Sequence, residues 1–211
     1  MRQLCLLLLL AAASAAQPVG FGVKAGLPMN DFLNATSNQN FHFDTTTNRY
    51  IIGPTVELRL PAGFGIEFDA LYRHFGYNFF GSDAAGTTNT STTSGAWEFP
   101  LVGKYKFKGV PLVSPFIEAG ISWNKLSGVS QTITRTVANV TNTSSTSNPV
   151  ELRNDATRGF VTGVGLDIKV LMLRISPQVR YTRWGARQFL DPSGLLDSNQ
   201  NQGEFLIGFK F

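Results

Sequence analysis

Apolar and polar residues alternate with a two-residue period in eight stretches of the chain, near 18–29, 49–60, 64–77, 95–107, 114–126, 158–170, 171–184 and 201–211. No 3.6-residue repeat longer than two turns competes with them, so the pattern predicts an all-β chain. Each stretch is about 11 to 14 residues long. Soluble strands usually stop at five or six, whereas a tilted strand needs roughly 9 to 11 to cross a bilayer. The two faces are sharply sorted. Phe205, Ile207, Phe209 and Phe211 oppose Glu204, Leu206, Gly208 and Lys210, and Leu173, Ile175, Pro177, Val179 and Tyr181 oppose Arg174, Ser176, Gln178, Arg180 and Thr182. The second stretch sets Ile52, Pro54, Val56, Leu58 and Leu60 against Gly53, Thr55, Glu57 and Arg59; the third sets Phe64, Ile66, Phe68, Ala70 and Tyr72 against Gly65, Glu67, Asp69, Leu71 and Arg73.

Alternation alone fits a soluble barrel with its apolar face inward as well as a membrane barrel with that face outward. The spacing between stretches separates the two. Connections run long and short in turn: 30–48, 61–63, 78–94, 108–113, 127–157, nothing at 170–171, and 185–200. Tight turns on one side, long loops on the other and an even strand number describe a closed, antiparallel, eight-stranded, up-and-down transmembrane β-barrel. The soluble alternative, a ligand carrier, requires an apolar interior. Aromatic placement supports the membrane reading, with Tyr50, Tyr72, Tyr77, Phe79, Phe80, Trp97, Phe99, Trp123, Tyr181 and Trp184 toward the long-loop ends, and Phe64, Tyr105, Phe107, Phe209 and Phe211 toward the short-turn ends. Two interfacial girdles are expected.

Composition sharpens this picture. Only 15% of the 211 residues are charged and 43% are apolar, which excludes a solvated, disordered chain. The longest apolar run, Leu4 to Ala16, is interrupted only by Ser14 and is too short for a spanning helix of about 20 residues. With Arg2 before it and Ala13-Ser14-Ala15 or Ser14-Ala15-Ala16 at its end, it reads as a cleaved secretory signal peptide over residues 1–16, leaving a barrel domain over 17–211. Cys5, the single cysteine, would leave with it. The net charge of +4 is spread without a cluster of Lys and Arg, so no nucleic-acid partner is expected.

The terminal Phe211 behind the alternating Phe205, Ile207 and Phe209 resembles the signature that bacterial outer-membrane barrels present to their assembly machinery. The whole mature chain resembles the eight-stranded barrels of the outer-membrane protein A type, a porin-like group. Segments 98–105 (EFPLVGKY), 114–120 (SPFIEAG) and 180–184 (RYTRW) are similar to recurring strands of that group. The resemblance implies export to the bacterial outer membrane, contact with its lipid and with the assembly machinery through the last strand, and an unidentified extracellular partner. A monomer is expected. Members of such a group share a wall and differ in task.

If the apolar faces meet lipid, the polar faces converge in a narrow lumen. Alternation assigns to it Lys24, Arg59, Arg73, Lys104, Lys106, Lys169, Arg174, Arg180 and Lys210, with Glu57, Glu67, Asp69, Glu98, Glu118, Asp167 and Glu204. Eight strands leave room for side chains rather than a wide water column, so these groups are expected to pair as a plug. The alternative is a small passive pore, slightly anion-preferring from the two surplus bases. Pro54, Pro100, Pro115 and Pro177 must fall at bulges or strand ends, because a closed barrel has no free edge. The Ser/Thr/Asn-rich stretches 87–94 and 141–148 read as solvated outer loops, although Val129, Ile133, Val137 and Val140 allow strands five and six to continue as a hairpin above the membrane.

An outer-rim lipid-modifying enzyme is the third reading. Its candidates are His42, and His74 with Ser82 and Asp83 beyond it, but no Gly-x-Ser-x-Gly elbow accompanies them. No cofactor, transition-metal site or calcium site is indicated. The expectation is therefore a non-enzymatic outer-membrane barrel with a salt-bridged lumen and long extracellular loops, acting as a structural or surface-interaction protein.

Overall fold

In the computed structural model, which describes residues 19–37, 41–47, 50–108 and 112–211, the backbone forms thirteen strands. They are β1 (Val19–Pro28), β2 (Leu33–Ala35), β3 (Phe41–Thr47), β4 (Ile51–Arg59), β5 (Phe64–Asp69), β6 (Leu71–Asp83), β7 (Gly86–Lys106), β8 (Val113–Val137), β9 (Val140–Thr146), β10 (Ala156–Val170), β11 (Leu173–Trp184), β12 (Leu196–Ser198) and β13 (Asn201–Lys210). The signal-peptide reading of 1–16 lies outside the described residues. Antiparallel pairing runs β4–β1–β13–β11–β10–β8–β7 and returns through β5 and β6 to β4, so the sheet closes on itself. β5 and β6 are two halves of one wall strand, which makes eight strands around the ring. Closure satisfies every wall strand on both sides, the condition for crossing a hydrocarbon layer with strands.

Phe21, Val23, Ile52, Phe64, Ile117, Phe160, Val179, Phe205 and Phe209 point away from the axis, while Lys24, Glu57, Glu67, Arg180 and Lys210 are wholly buried within it. The orientation is that of a membrane barrel: greasy outside, ionic inside.

The prolines fall where the ladders are interrupted. Between β5 and β6 the wall breaks at Ala70: the β5–β7 ladder ends at Phe68–Leu101, the β6–β7 ladder begins at Leu71–Glu98, and Pro100 sits in the gap. On the other side of the break the Ala70 amide donates to the Pro54 carbonyl at 3.0 Å, a bond that proline cannot return. Gly53 is required there, since a Cβ would lie 1.8 Å from the Ala70 carbonyl oxygen. Pro177 occupies a similar gap between Gly165–Gln178 and Ile168–Ile175, and Pro115 sits near the start of β8.

Three expectations need correction. Residues 78–94 are not a loop: β6 runs to Asp83, turns, and returns as β7 from Gly86, paired throughout. Strand five also continues to Val137, but it hairpins onto β9 through Ala138 and Asn139, both at positive φ, and not onto strand six, which begins at Ala156. The Ser/Thr-rich stretch 87–94 has no apolar face to reveal it as a strand, yet threonine favours extended backbone. The third correction concerns the girdle. Tyr77 and Trp184 point into the barrel and are buried, and Phe79, on the same face as Tyr77, packs against the inner cluster, whereas Tyr50, Trp97, Trp123 and Tyr181 do face outward.

Candidate functional site

Fourteen of the sixteen lumen charges expected from alternation are brought into ion pairs, and every wall strand supplies at least one. The hub is Glu67. It lies 2.5 Å from Lys24, 3.0 Å from Lys104, 2.8 Å from Lys210 and 3.7 Å from Arg180. Arg180 Nη1 reaches Asp69 at 3.0 Å and its Nε reaches Glu118 at 2.9 Å; Lys24 also holds Asp69 at 2.7 Å. Toward the short-turn end Glu57 joins Lys210 and Lys106, and Asp167 joins Lys106 and Arg174. Toward the loop end Arg73 bridges Glu98 and Glu204, each at 2.5 Å, with the Ser122 hydroxyl donating to Glu98.

Arg59 and Lys169 are the two that stand apart, which corrects their assignment to the network. Arg59 donates to the main-chain oxygen of Phe211 at 3.2 Å, and Lys169 is exposed at the end of β10. Their faces were read correctly, but the strand has left the lumen by then. The consequence is electrostatic. Those two account for the whole surplus of bases, so the paired network holds seven bases and seven acids and the ground for an anion-preferring path is gone.

Alternation gave no warning of what closes the outer end. Residues 29–37 and 185–200 fold over the mouth and pair through β2 and β12, Leu33 against Ser198 and Ala35 against Leu196. Phe32, Leu33, Phe189 and Leu196 are buried there against Phe75, Tyr77 and Leu126 from the wall. Phe32 stacks on Phe75 at 4.1 Å between ring centroids, and Phe189 meets the edges of Phe75 and Tyr77. Arg73 lies over the Phe32 ring, 5.7 Å from its centroid, joining this apolar lid to the ionic plug below. The inward face of β6 that carries Arg73 also carries Phe75 and Tyr77, an apolar surface that needs a cover, but no local pattern names the loops that supply it.

The catalytic candidates are not assembled. His74 and Ser82 point the same way eight residues apart on β6, roughly 26 Å along an extended strand. Asp83 Oδ1 is occupied by the amides of Ala85 and Gly86 in the turn, and His42 pairs with Asp44 on the exposed face of β3. Among the described residues no group of three or more His, Cys, Asp or Glu side chains gathers to hold a metal ion.

A closed antiparallel barrel with a lipid-facing apolar wall and a paired ionic lumen defines a bacterial outer-membrane barrel. A family profile described as "Outer membrane protein beta-barrel domain" matches residues 13–185, and the chain belongs to that family. Among solved structures it is similar to the outer membrane protein OprG from Pseudomonas aeruginosa, with 12% identity, a TM-score of 0.53, and 92% of this chain and 94% of that one covered. It is also similar to Neisserial surface protein A, with 12% identity, a TM-score of 0.47, and 92% and 96% covered. At such identity the OprG likeness speaks for the fold alone. A search of curated protein sequences finds no match.

Proposed function

We propose that this chain is a closed-lumen barrel of the outer membrane that serves a structural and surface-interaction role, with its wall as anchor and its outer strands as display. The observation that carries this reading is the combination of a charge-balanced plug, in which each of the fourteen charges faces an opposite one, with an apolar lid above it. An ion entering from outside would first have to part Phe32, Phe189 and Leu196, then displace the bonds at Arg73, then those at Glu67 and Arg180. Buried ion pairs with this many partners resist rearrangement, because freeing any one charge leaves another unpaired in a low-dielectric interior. Outside the membrane, β6 to β9 extend the wall as a sheet whose exposed face is built from Ser, Thr and Asn. The last strand, with Phe205, Ile207 and Phe209 on its lipid face, is the segment we assign to recognition by the assembly machinery.

The test is conductance. Purified protein reconstituted into planar bilayers is expected to give no unitary steps. Reproducible open-channel events from folded protein would overturn the reading in favour of a small pore.

A further inference from the structure

Every charged residue on the outward face of the described wall strands is basic. There are three, Lys125, Arg158 and Arg183, on the neighbouring strands β8, β10 and β11, all at the long-loop end. Arg158 stands directly across from Trp123, Lys125 is two residues further along the same strand as Trp123, and Arg183 stands across from Phe160. Cross-strand and diagonal neighbours of this kind lie within roughly 5 to 8 Å at the backbone. Among the described residues none of the three has an acidic partner; Arg183 donates only to the Asn201 side chain, at 2.6 Å. Three unpaired like charges beside an aromatic girdle contrast with a lumen in which the acids and bases balance.

Arg158, Arg183, Trp123, Ile121 and Phe160 line a cavity of about 610 Å³ on this outer surface. Below it, across the ridge formed by Ile121 and Phe160, lies a second cavity of about 610 Å³. Its floor is Gly103, Ala119 and Thr162, which are aligned across β7, β8 and β10, and its inner margin is the parallel row Tyr105, Ile117 and Val164. From Ala119 to Trp123 is four residues, roughly 13 Å along the strand.

We propose that this face binds a phosphorylated, acylated glycolipid of the outer leaflet, with Lys125, Arg158 and Arg183 holding phosphate and the Gly103–Ala119–Thr162 furrow holding an acyl chain. Charge complementarity selects an anion, and guanidinium groups engage phosphate oxygens in pairs. The order of side chains along the outward face of β8 selects the glycolipid. Ile117, Ala119 and Ile121 give way to Trp123, then Lys125, then Thr132, Thr134 and Thr136, whose hydroxyls stand opposite those of Ser145, Thr143 and Thr141 on β9. Apolar, aromatic, cationic and hydroxyl layers follow the acyl, interfacial, phosphate and sugar layers of one such molecule. The inference rests on the barrel's placement in the outer membrane and is independent of whether the lumen conducts.

The experiment uses the full mature chain folded in phosphatidylcholine nanodiscs doped with bisphosphorylated lipid A, with its dephosphorylated form, or with phosphatidylglycerol. Retained lipid is counted by native mass spectrometry, and folding of each variant is checked by heat-dependent gel mobility. The expected result is about a tenfold preference for the phosphorylated glycolipid over both others. That preference is expected to be lost in K125Q/R158Q/R183Q and reduced but not abolished in R158K/R183K, which keeps the charge and loses the paired hydrogen bonds. Ala119→Leu, which fills the furrow, is expected to weaken retention several-fold without abolishing the phosphate preference. Equal retention of the two glycolipid forms, or of phosphatidylglycerol, by the unmodified protein overturns the proposal even if the triple variant fails to fold.

Discussion

Lys24 on β1 and Glu67 on β5, 43 positions apart in the sequence, meet at 2.5 Å in the middle of the lumen, with no solvent exposure on either side chain. Their strands never pair, because β4 lies between them in the sheet. The contact therefore exists only because the sheet curves closed, and it is the convergence of eight inward faces, not strand pairing, that assembles the plug.

Because Glu67 answers four bases, Glu67→Gln is expected to destabilise the barrel more than loss of any single base. Removing one partner of a buried ion pair costs about 3 to 5 kcal/mol, while exchanging both partners for apolar groups is often neutral. A lowered thermal midpoint in detergent for Glu67→Gln, with partial recovery in Glu67→Leu/Lys24→Met, is the pattern to look for by circular dichroism. Unchanged melting of the single variant would remove the idea that the plug is energetically coupled.

The lid makes a separable prediction. Phe189 is wholly buried against Phe75 and Tyr77, and truncating a buried phenylalanine costs about 3 to 5 kcal/mol. Phe189→Ala is expected to speed amide exchange in β2 and β12 while leaving the wall strands protected, since the lid contributes nothing to wall pairing. Uniform loss of protection across lid and wall would show that the two do not unfold separately.

The wall was legible in the sequence because lipid on one side and ions on the other impose opposite residue types on successive positions. Closure followed from the alternation of long and short connections between an even number of such strands. The outer extension was hidden for the opposite reason: above the membrane both faces of 87–94 are polar, so alternation carries no contrast even though the backbone is still a strand. Tyr77 and Trp184 were placed in the girdle by residue type and nearness to a strand end. Parity would have placed them correctly, because Arg73 and Arg180 already fixed which face of β6 and β11 looks inward. The lid was not legible, since it depends on which loops meet over the mouth, and that is set by the closed ring and not by any local pattern.

The tightest turn carries a backbone cost that can be relieved. Leu171 sits at φ 55° in the two-residue connection between Val170 and Leu173 and is almost fully exposed. A left-handed conformation costs a branched residue about 1 to 2 kcal/mol that glycine avoids. Leu171→Gly is expected to raise stability by about 1 kcal/mol, read as a higher midpoint in urea-dependent folding into lipid vesicles. A lower midpoint would mean that the exposed leucine contributes more through contact with the membrane interface than its backbone costs.

Salt provides the sharpest distinction between the plug and an ordinary set of surface pairs. At 1 M ionic strength the screening length is about 3 Å, enough to weaken exposed pairs, whereas ions without solvent access are screened far less. Glu67, Arg180, Lys24 and Lys210 are shielded completely, while the Arg187–Asp197 pair is open to solvent. If salt cannot enter the lumen, the thermal midpoint should be nearly the same at 0.05 M and 1 M sodium chloride, to within the change expected of surface pairs. A water-filled lumen admits counterions, so a pronounced fall in the midpoint with salt would point to a hydrated interior and revive the pore.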